Sequence, residues 1–212
     1  VAMVVAETLE QARDAAELIE VDYDDLPVCT ELAPSNQPIH PEAPTNRAFD
    51  FGIGDEAATA AAIERAARVV RLEITDHRII SNPMEPRGAW ADWRDGRMHF
   101  TFGGQGVWGM KDQLVRMLHL DRDQVHVTTP DVGGGFGTKT MPYPEYFALA
   151  HAAMVLGRPV RWMADRSETM LSDNAGRDLV TMAEMAFDEN NRIVAYRLHN
   201  LSNLGAYNSQ FG

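Results

Sequence analysis

The chain has 212 residues, 45% of them hydrophobic, 24% charged and 8% aromatic, which is the profile of a globular protein rather than a disordered or disulfide-stapled one. Its formal net charge of −12, with no basic stripe, argues against nucleic acid as a partner, because phosphates demand clustered Lys and Arg. No apolar run approaches the ~18 residues of a membrane span, there is no signal-peptide pattern, and Cys29 is the only cysteine, so the chain is expected in the cytoplasm without an internal disulfide.

The charge is uneven. Residues 1–60 carry thirteen Asp and Glu against Arg13 and Arg47, a net of −11, and the rest is close to neutral. The first stretch, VAMVVAE, reads as a short buried strand with no lead-in, so the start looks cut. Thr8 with Gln11 forms a capping-box pattern for an amphipathic helix through Leu9, Ala12, Ala16 and Ile19. Val21 to Cys29 returns to extended chain, and ELAPSNQPIHPEAPTN, with four prolines, reads as a linker.

Asp55 and Glu56 open an Ala-rich helix that closes with Arg65 and Arg68, charges complementary to the helix dipole. RVVRLEITDHR is a strand by its alternation, and GAWADW and RMHFTF flank Asp95-Gly96, a hairpin signal. Val107 to Leu120 has helical spacing through Met110, Leu114, Val115 and Leu118, and QVHVTT is strand-like. Beyond a glycine-rich loop, Pro144 and Glu145 start a helix that runs to Leu156 and stops at Gly157. Pro159 to Met163 is a strand, and LVTMAEMAFDENNRIVAYRLHNLSN folds back on DENNR as a long hairpin. No closing element follows, so the C-terminus also looks truncated.

Two glycine segments invite a chemical reading. Gly104-Gln105-Gly106-Val107-Trp108-Gly109 satisfies G-x-G-x-x-G between a strand and a helix. Its strand, however, is the second arm of a hairpin and alternates in polarity, unlike the doubly buried first strand of a dinucleotide-binding fold. Gly133-Gly134-Gly135-Phe136-Gly137-Thr138-Lys139-Thr140 nearly matches a phosphate loop, but Thr138 replaces the second glycine, and Pro142 and Pro144 interrupt the required helix. Four glycines in five positions still bring backbone N–H groups close to an oxygen or anion, or else serve a purely structural turn. The seven histidines show no metal-ligand spacing, and no serine sits in a nucleophile elbow. Met84-Glu85-Pro86-Arg87 reads as a structural ion pair at a loop.

Taken together, NPMEPRGAWADW, FGGQGVWGMKDQL, PDVGGGFGTK, YPEYFALAHAAMVLGRPVRWMADRSETMLSD and NLGAYNSQFG resemble the xanthine oxidase family of molybdenum hydroxylases. Within it the chain looks most like the large, molybdenum-binding subunit of aerobic carbon monoxide dehydrogenases, with aldehyde oxidases and xanthine dehydrogenases as relatives. The resemblance implies an α+β fold: residues 1–30 as the end of an α/β hammerhead domain, 31–54 as a Pro-rich linker, and 55–212 as the first part of a molybdopterin-binding domain.

It implies roles as well. Gln105 matches the glutamine whose amide donates to the apical oxygen on molybdenum, and Gly135, Phe136 and Gly137 match the loop approaching the metal's oxo face and the pterin. Gly106 and Gly134 complete the expected cofactor-binding set; no protein ligand to the metal is expected. The implied cofactor is molybdopterin cytosine dinucleotide with molybdenum, with FAD on a medium subunit and 2Fe–2S clusters on a small one, the whole a dimer of heterotrimers. Thr140 stands where purine-oxidising members carry glutamate, the copper-binding cysteine and general-base glutamate fall beyond Gly212, and Cys29 lies on the wrong domain to substitute. The isolated chain is therefore expected to be inactive. The alternatives are a nucleotide-binding domain using Gly104 to Gly109, and a non-catalytic assembly module whose acidic first sixty residues dock a partner.

Overall fold

The computed structural model describes residues 2–32 and 37–205. In chain order the elements are helix α1 (Leu9–Ala16), α2 (Glu56–Arg65), strands β1 (Arg68–Asp76), β2 (Ile79–Ile80), β3 (Gly88–Arg94) and β4 (Arg97–Phe102), helix α3 (Val107–Leu118), β5 (Val125–Thr128), α4 (Pro144–Leu156), β6 (Val160–Met163), α5 (Arg166–Ser172), β7 (Ala175–Gly176), β8 (Leu179–Phe187) and β9 (Ile193–Ser202). Two compact units form, one from residues 1–23 and 80–175, the other from 24–79 and 176–212. These units cut across the three sequence segments, so nearness along the chain does not define them.

The first unit carries a four-stranded sheet in the order β5-β4-β3-β6. Its centre is the β3–β4 hairpin, whose turn residues Asp95 (φ 51°) and Gly96 (φ 73°) both take positive φ, the geometry that lets a two-residue turn match the twist of its strands. Alternation along β4 sends Met98, Phe100 and Phe102 inward, each at most 2% exposed. Met110 and Leu114 of α3 and Tyr146, Leu149, Ala150 and Ala153 of α4 join them in one core. The small residues let α4 lie close on the sheet, and burying each large apolar side chain stabilises by about 1.5–3 kcal/mol. β5 runs parallel to β4. A parallel neighbour needs a crossover, which α3 supplies, so the G-x-G-x-x-G turn does open a strand-helix-strand unit.

In the second unit β1, β8 and β9 form an antiparallel sheet in the order β1-β8-β9. The β8–β9 hairpin folds back at 188–192, as its alternation predicts, with a register shift at Ala186/Phe187. α2 is capped by Asp55, whose carboxylate accepts from the Ala58 N–H at 2.9 Å.

Local signals hold at most termini. Thr8 and Gln11 form the reciprocal capping box of α1, and Gly157 ends α4 at φ 59°. Two expectations fail. Residues 2–6 form no strand, and Met3 and Val5 are 47% and 40% exposed, because among the described residues no strand pairs with them. Helix α5 is additional to the sequence expectation; its cap Asp165 and Glu168 exchange bonds with each other's backbone.

Candidate functional site

The G-x-G-x-x-G turn and the glycine loop meet in the first unit. Gln105 follows β4, and its side-chain Oε1 accepts from the N–H of Gly137 at 2.9 Å and of Lys139 at 3.3 Å. Its own N–H donates to the Lys139 carbonyl at 3.2 Å. Two backbone donors on Oε1 fix the orientation of the amide, which leaves Nε2 as a donor with no acceptor among the described residues. Gly135 completes the contact: a Cβ there would lie 2.4 Å from Gln105 Cδ.

The loop is held in left-handed backbone at Gly134 (φ 95°), Phe136 (φ 51°) and Gly137 (φ 90°). Phe136 is 75% exposed, so no burial of its ring compensates that conformation. The Gly133 N–H goes to Glu85 Oε2 at 2.5 Å and the Thr138 N–H to the Gly135 carbonyl at 3.0 Å. Between them the N–H groups of Gly134, Gly135 and Phe136 meet no acceptor among the described residues. Gly106 (φ 138°) begins α3 without a side-chain cap, so that helix also leaves amides free at its N-terminus. The six expected site residues therefore fall in two adjoining segments, and Gln105 joins them directly.

The glycines differ in what excludes a side chain. Gly103 and Gly133 make room for Glu85, whose atoms would lie 2.6 Å from a Cβ at either, Gly104 makes room for Phe102, and Gly135 for Gln105. Gly106, Gly109 and Gly137 would meet nothing within 4 Å. The open space at Gly109 departs from the dinucleotide fingerprint, whose third glycine lets helix and strand pack closely. Lys139 is likewise no phosphate-loop lysine: its side chain has no exposed surface, and its Nζ lies 2.9 Å from Glu85 Oε1.

The Met84-Glu85-Pro86-Arg87 motif does form ion pairs, but not within itself. Glu85 turns to the glycine loop and Arg87 inward, 0% exposed. Arg87 Nε donates to Asp173 at 2.5 Å, and Nη2 to Ser172 at 2.9 Å and Glu145 at 3.2 Å. The guanidinium lies 3.6 Å from the centre of the Tyr143 ring. Burial opposes its charge, yet the two carboxylates hold its pKa above the ordinary arginine value. Burial pushes the Tyr143 phenol up and the Tyr146 phenol further still. Arg87 Nη1, Tyr146 Oη and one oxygen each of Glu145 and Asp173 have no partner among the described residues, so one cation faces two carboxylates and the cluster is not saturated in hydrogen bonds.

Tyr143 links this cluster to the loop. Its hydroxyl lies 3.3 Å from Thr138 Oγ1 and accepts from the Asn174 N–H at 3.0 Å. Sequence reasoning passed over Glu85, Lys139 and Tyr143 as site residues. The available signal was the proline on the C-terminal side of Glu85 and the lysine next to the loop. Among the described residues no group of three His, Cys, Asp or Glu is placed to hold a metal ion, and no helix is long and apolar enough to cross a membrane.

The α+β scaffold thus presents an exposed amide donor beside a run of backbone N–H groups that are unpaired among the described residues. The chain belongs to the molybdopterin cofactor-binding domain family, whose model matches residues 39–212. It is 32% identical to the carbon monoxide dehydrogenase large chain of Afipia carboxidovorans over 99% of this chain and 28% of that protein. It is also 32% identical to the nicotine 6-hydroxylase large subunit of Paenarthrobacter nicotinovorans, over 98% of this chain and 26% of that one. The fold superposes on reconstituted CO dehydrogenase from Oligotropha carboxidovorans with a TM-score of 0.80 at 30% identity, covering 91% of this chain and 26% of that one. The chain thus spans about a quarter of the length of these relatives. None of this supports the nucleotide-binding or assembly-module alternatives.

Proposed function

We propose that this chain forms one wall of the cofactor site in a molybdenum-dependent hydroxylase of the carbon monoxide dehydrogenase and xanthine dehydrogenase type. The observation that carries the reading is the pairing of donors: Gln105 commits its oxygen to the loop, and among the described residues its N–H₂ group and the three successive amides of Gly134, Gly135 and Phe136 have no acceptor. Such a set fits an oxygen-rich molybdopterin group, which Gln105 Nε2 would hold by donating a hydrogen bond and Gly106, Gly134, Gly135, Phe136 and Gly137 by close approach of their backbone. Once bound, that group supplies oxidation with water as the oxygen donor; the protein supplies position and hydrogen bonds.

In the whole enzyme the cofactor is the cytosine dinucleotide form, and electrons leave through 2Fe–2S clusters and FAD on small and medium subunits, in a cytoplasmic dimer of heterotrimers. Residues 1–30 serve as the end of a hammerhead domain, 31–54 as a linker and 55–212 as the start of the cofactor domain. Thr140 in the place of a glutamate speaks against purines as substrates.

The test is molybdenum and pterin content of the full-length subunit carrying this sequence. About one of each per chain is expected, and none would overturn the reading. The 212 residues alone are expected to hold no stoichiometric molybdenum, because Gln105 and Phe136 lie exposed on a single wall, whereas sites for such ligands bury most of the ligand's surface.

A further inference from the structure

We propose that Glu85 is a positioning residue of this site, a carboxylate clamp that fixes the glycine loop and, through Lys139, the Gln105 amide. As a role toward the cofactor this rests on the reading above.

The clamp is two-sided. Glu85 donates its backbone N–H to the Gly133 carbonyl at 3.2 Å, and its Oε2 accepts the Gly133 N–H at 2.5 Å, so one residue takes both backbone groups at the start of the loop. Its other oxygen holds the Lys139 ammonium at the loop's end, 2.9 Å away. Lys139 is the residue whose peptide N–H donates to Gln105 Oε1 and whose carbonyl accepts the Gln105 N–H. The path from Glu85 to the free Gln105 N–H₂ therefore runs through one residue.

The space for this carboxylate is built in, since Gly103 and Gly133 would each place a Cβ 2.6 Å from Glu85 atoms. Its base is anchored too. Arg166 donates to the carbonyls of Pro83 and Met84 at 2.8 Å and to Asn82 Oδ1 at 2.5 Å, which holds the segment leading into Glu85. Glu85 stays ionised: burial pushes its pKa up, but the Gly133 N–H and Lys139 outweigh it and hold the carboxyl below its usual value.

A merely structural role would be to neutralise the buried ammonium of Lys139, since removing one partner of such a pair leaves an uncompensated charge. Substituting both partners separates the two roles. In the full-length subunit we would compare Glu85→Ala, Glu85→Ala/Lys139→Met and Glu85→Gln/Lys139→Met, the last keeping an acceptor for the Gly133 N–H without either charge. Three quantities are read: melting temperature, hydrogen exchange of the 131–141 peptides in enzyme from molybdenum-free medium, and molybdenum per chain in enzyme from replete medium.

Glu85→Ala should melt lower, and Glu85→Ala/Lys139→Met should recover the melting temperature. That recovered variant should nonetheless exchange its loop amides about 10- to 100-fold faster, the factor for one lost hydrogen bond to a charged group, and carry less molybdenum. Glu85→Gln/Lys139→Met should restore much of both. Parent-like exchange in the Ala/Met variant would reduce Glu85 to charge balance and overturn the clamp. Fast exchange with parent-like molybdenum would overturn its role toward the cofactor. Because exchange is read without cofactor, a parent enzyme devoid of molybdenum would refute the proposed function while the clamp is still decided.

Discussion

Two polar assemblies in the same unit spend their charge in opposite directions. Around Arg87 the guanidinium, Asp173, Glu145 and the face of Tyr143 turn toward one another, with no exposed surface on Arg87 or on the Asp173 side chain. Around Gln105 the partners are mostly backbone, and the amide's oxygen is used while, among the described residues, its N–H₂ group and three loop amides are left over. The first arrangement ties β3 to the N-terminus of α4 and the end of α5; the second holds a surface in readiness. Polar groups consumed inside the chain are the means of folding, and donors left unspent beside strained backbone mark where a ligand is expected.

The strongest attack on that contrast is Arg87→Ala. It leaves the buried Asp173 carboxylate and the partly exposed Glu145 carboxylate without their cation, so a stability loss of about 3 kcal/mol is expected, carried mainly by Asp173 and read by denaturant unfolding. A loss below about 1 kcal/mol would mean that the cluster is not what holds these elements. Gln105→Ala should behave in the opposite way. Stability should fall by no more than about 1–2 kcal/mol, the cost of two backbone N–H groups losing the Gln105 acceptor at an exposed position. Turnover of the full-length enzyme should fall on the order of 10²-fold, by analogy with deleting one donor from an oxyanion site. Parent-like turnover would remove Gln105 from the site.

Gly135→Ala sharpens the comparison further, because the three atoms nearest a methyl there, all within 2.7 Å, belong to the Gln105 side chain, which it must displace. A drop of about tenfold in turnover is expected. Combining it with Gln105→Ala should add almost nothing, since two changes acting through one contact do not add. Full additivity would show that the loop responds to something other than Gln105.

What the sequence made legible follows the range of the interactions. The caps at Thr8 and Gly157 and the Asp95-Gly96 turn are decided within four residues and each formed as read, while Asp55, expected in the first turn of α2, caps that helix instead. The Asp165–Glu168 box is equally local, so the start of α5 is legible in the sequence by the same rule. By contrast, Glu85 and Lys139 are 54 positions apart and Arg87 and Asp173 are 86 apart; no periodicity reports such a meeting. The apolar start at residues 2–6 shows the converse, because an apolar run describes what a buried strand needs on its faces and says nothing of a partner for its edges. Glycine spacing announced a close approach but not its object. At Gly103, Gly133 and Gly135 the approaching atoms belong to the chain's own Glu85 and Gln105.

The smallest expected effect concerns Phe136, which has φ 51° and is 75% exposed. A non-glycine residue in left-handed backbone costs roughly 1–2 kcal/mol, and a glycine there costs about 0.5–1 kcal/mol in chain entropy instead. An exposed ring gives back little through burial, so Phe136→Gly should stabilise the protein by about 0.5–1 kcal/mol in denaturant unfolding. Keeping a residue that weakens the fold is explained if the ring or its φ shapes the loop for a ligand, and the same variant should then lower molybdenum per full-length chain. A destabilised Phe136→Gly would place the ring among the groups that hold the fold, on the Arg87 side of the contrast. Stabilisation without any loss of molybdenum would leave the strain unexplained by cofactor binding and would confine the site to Gln105 and the loop amides.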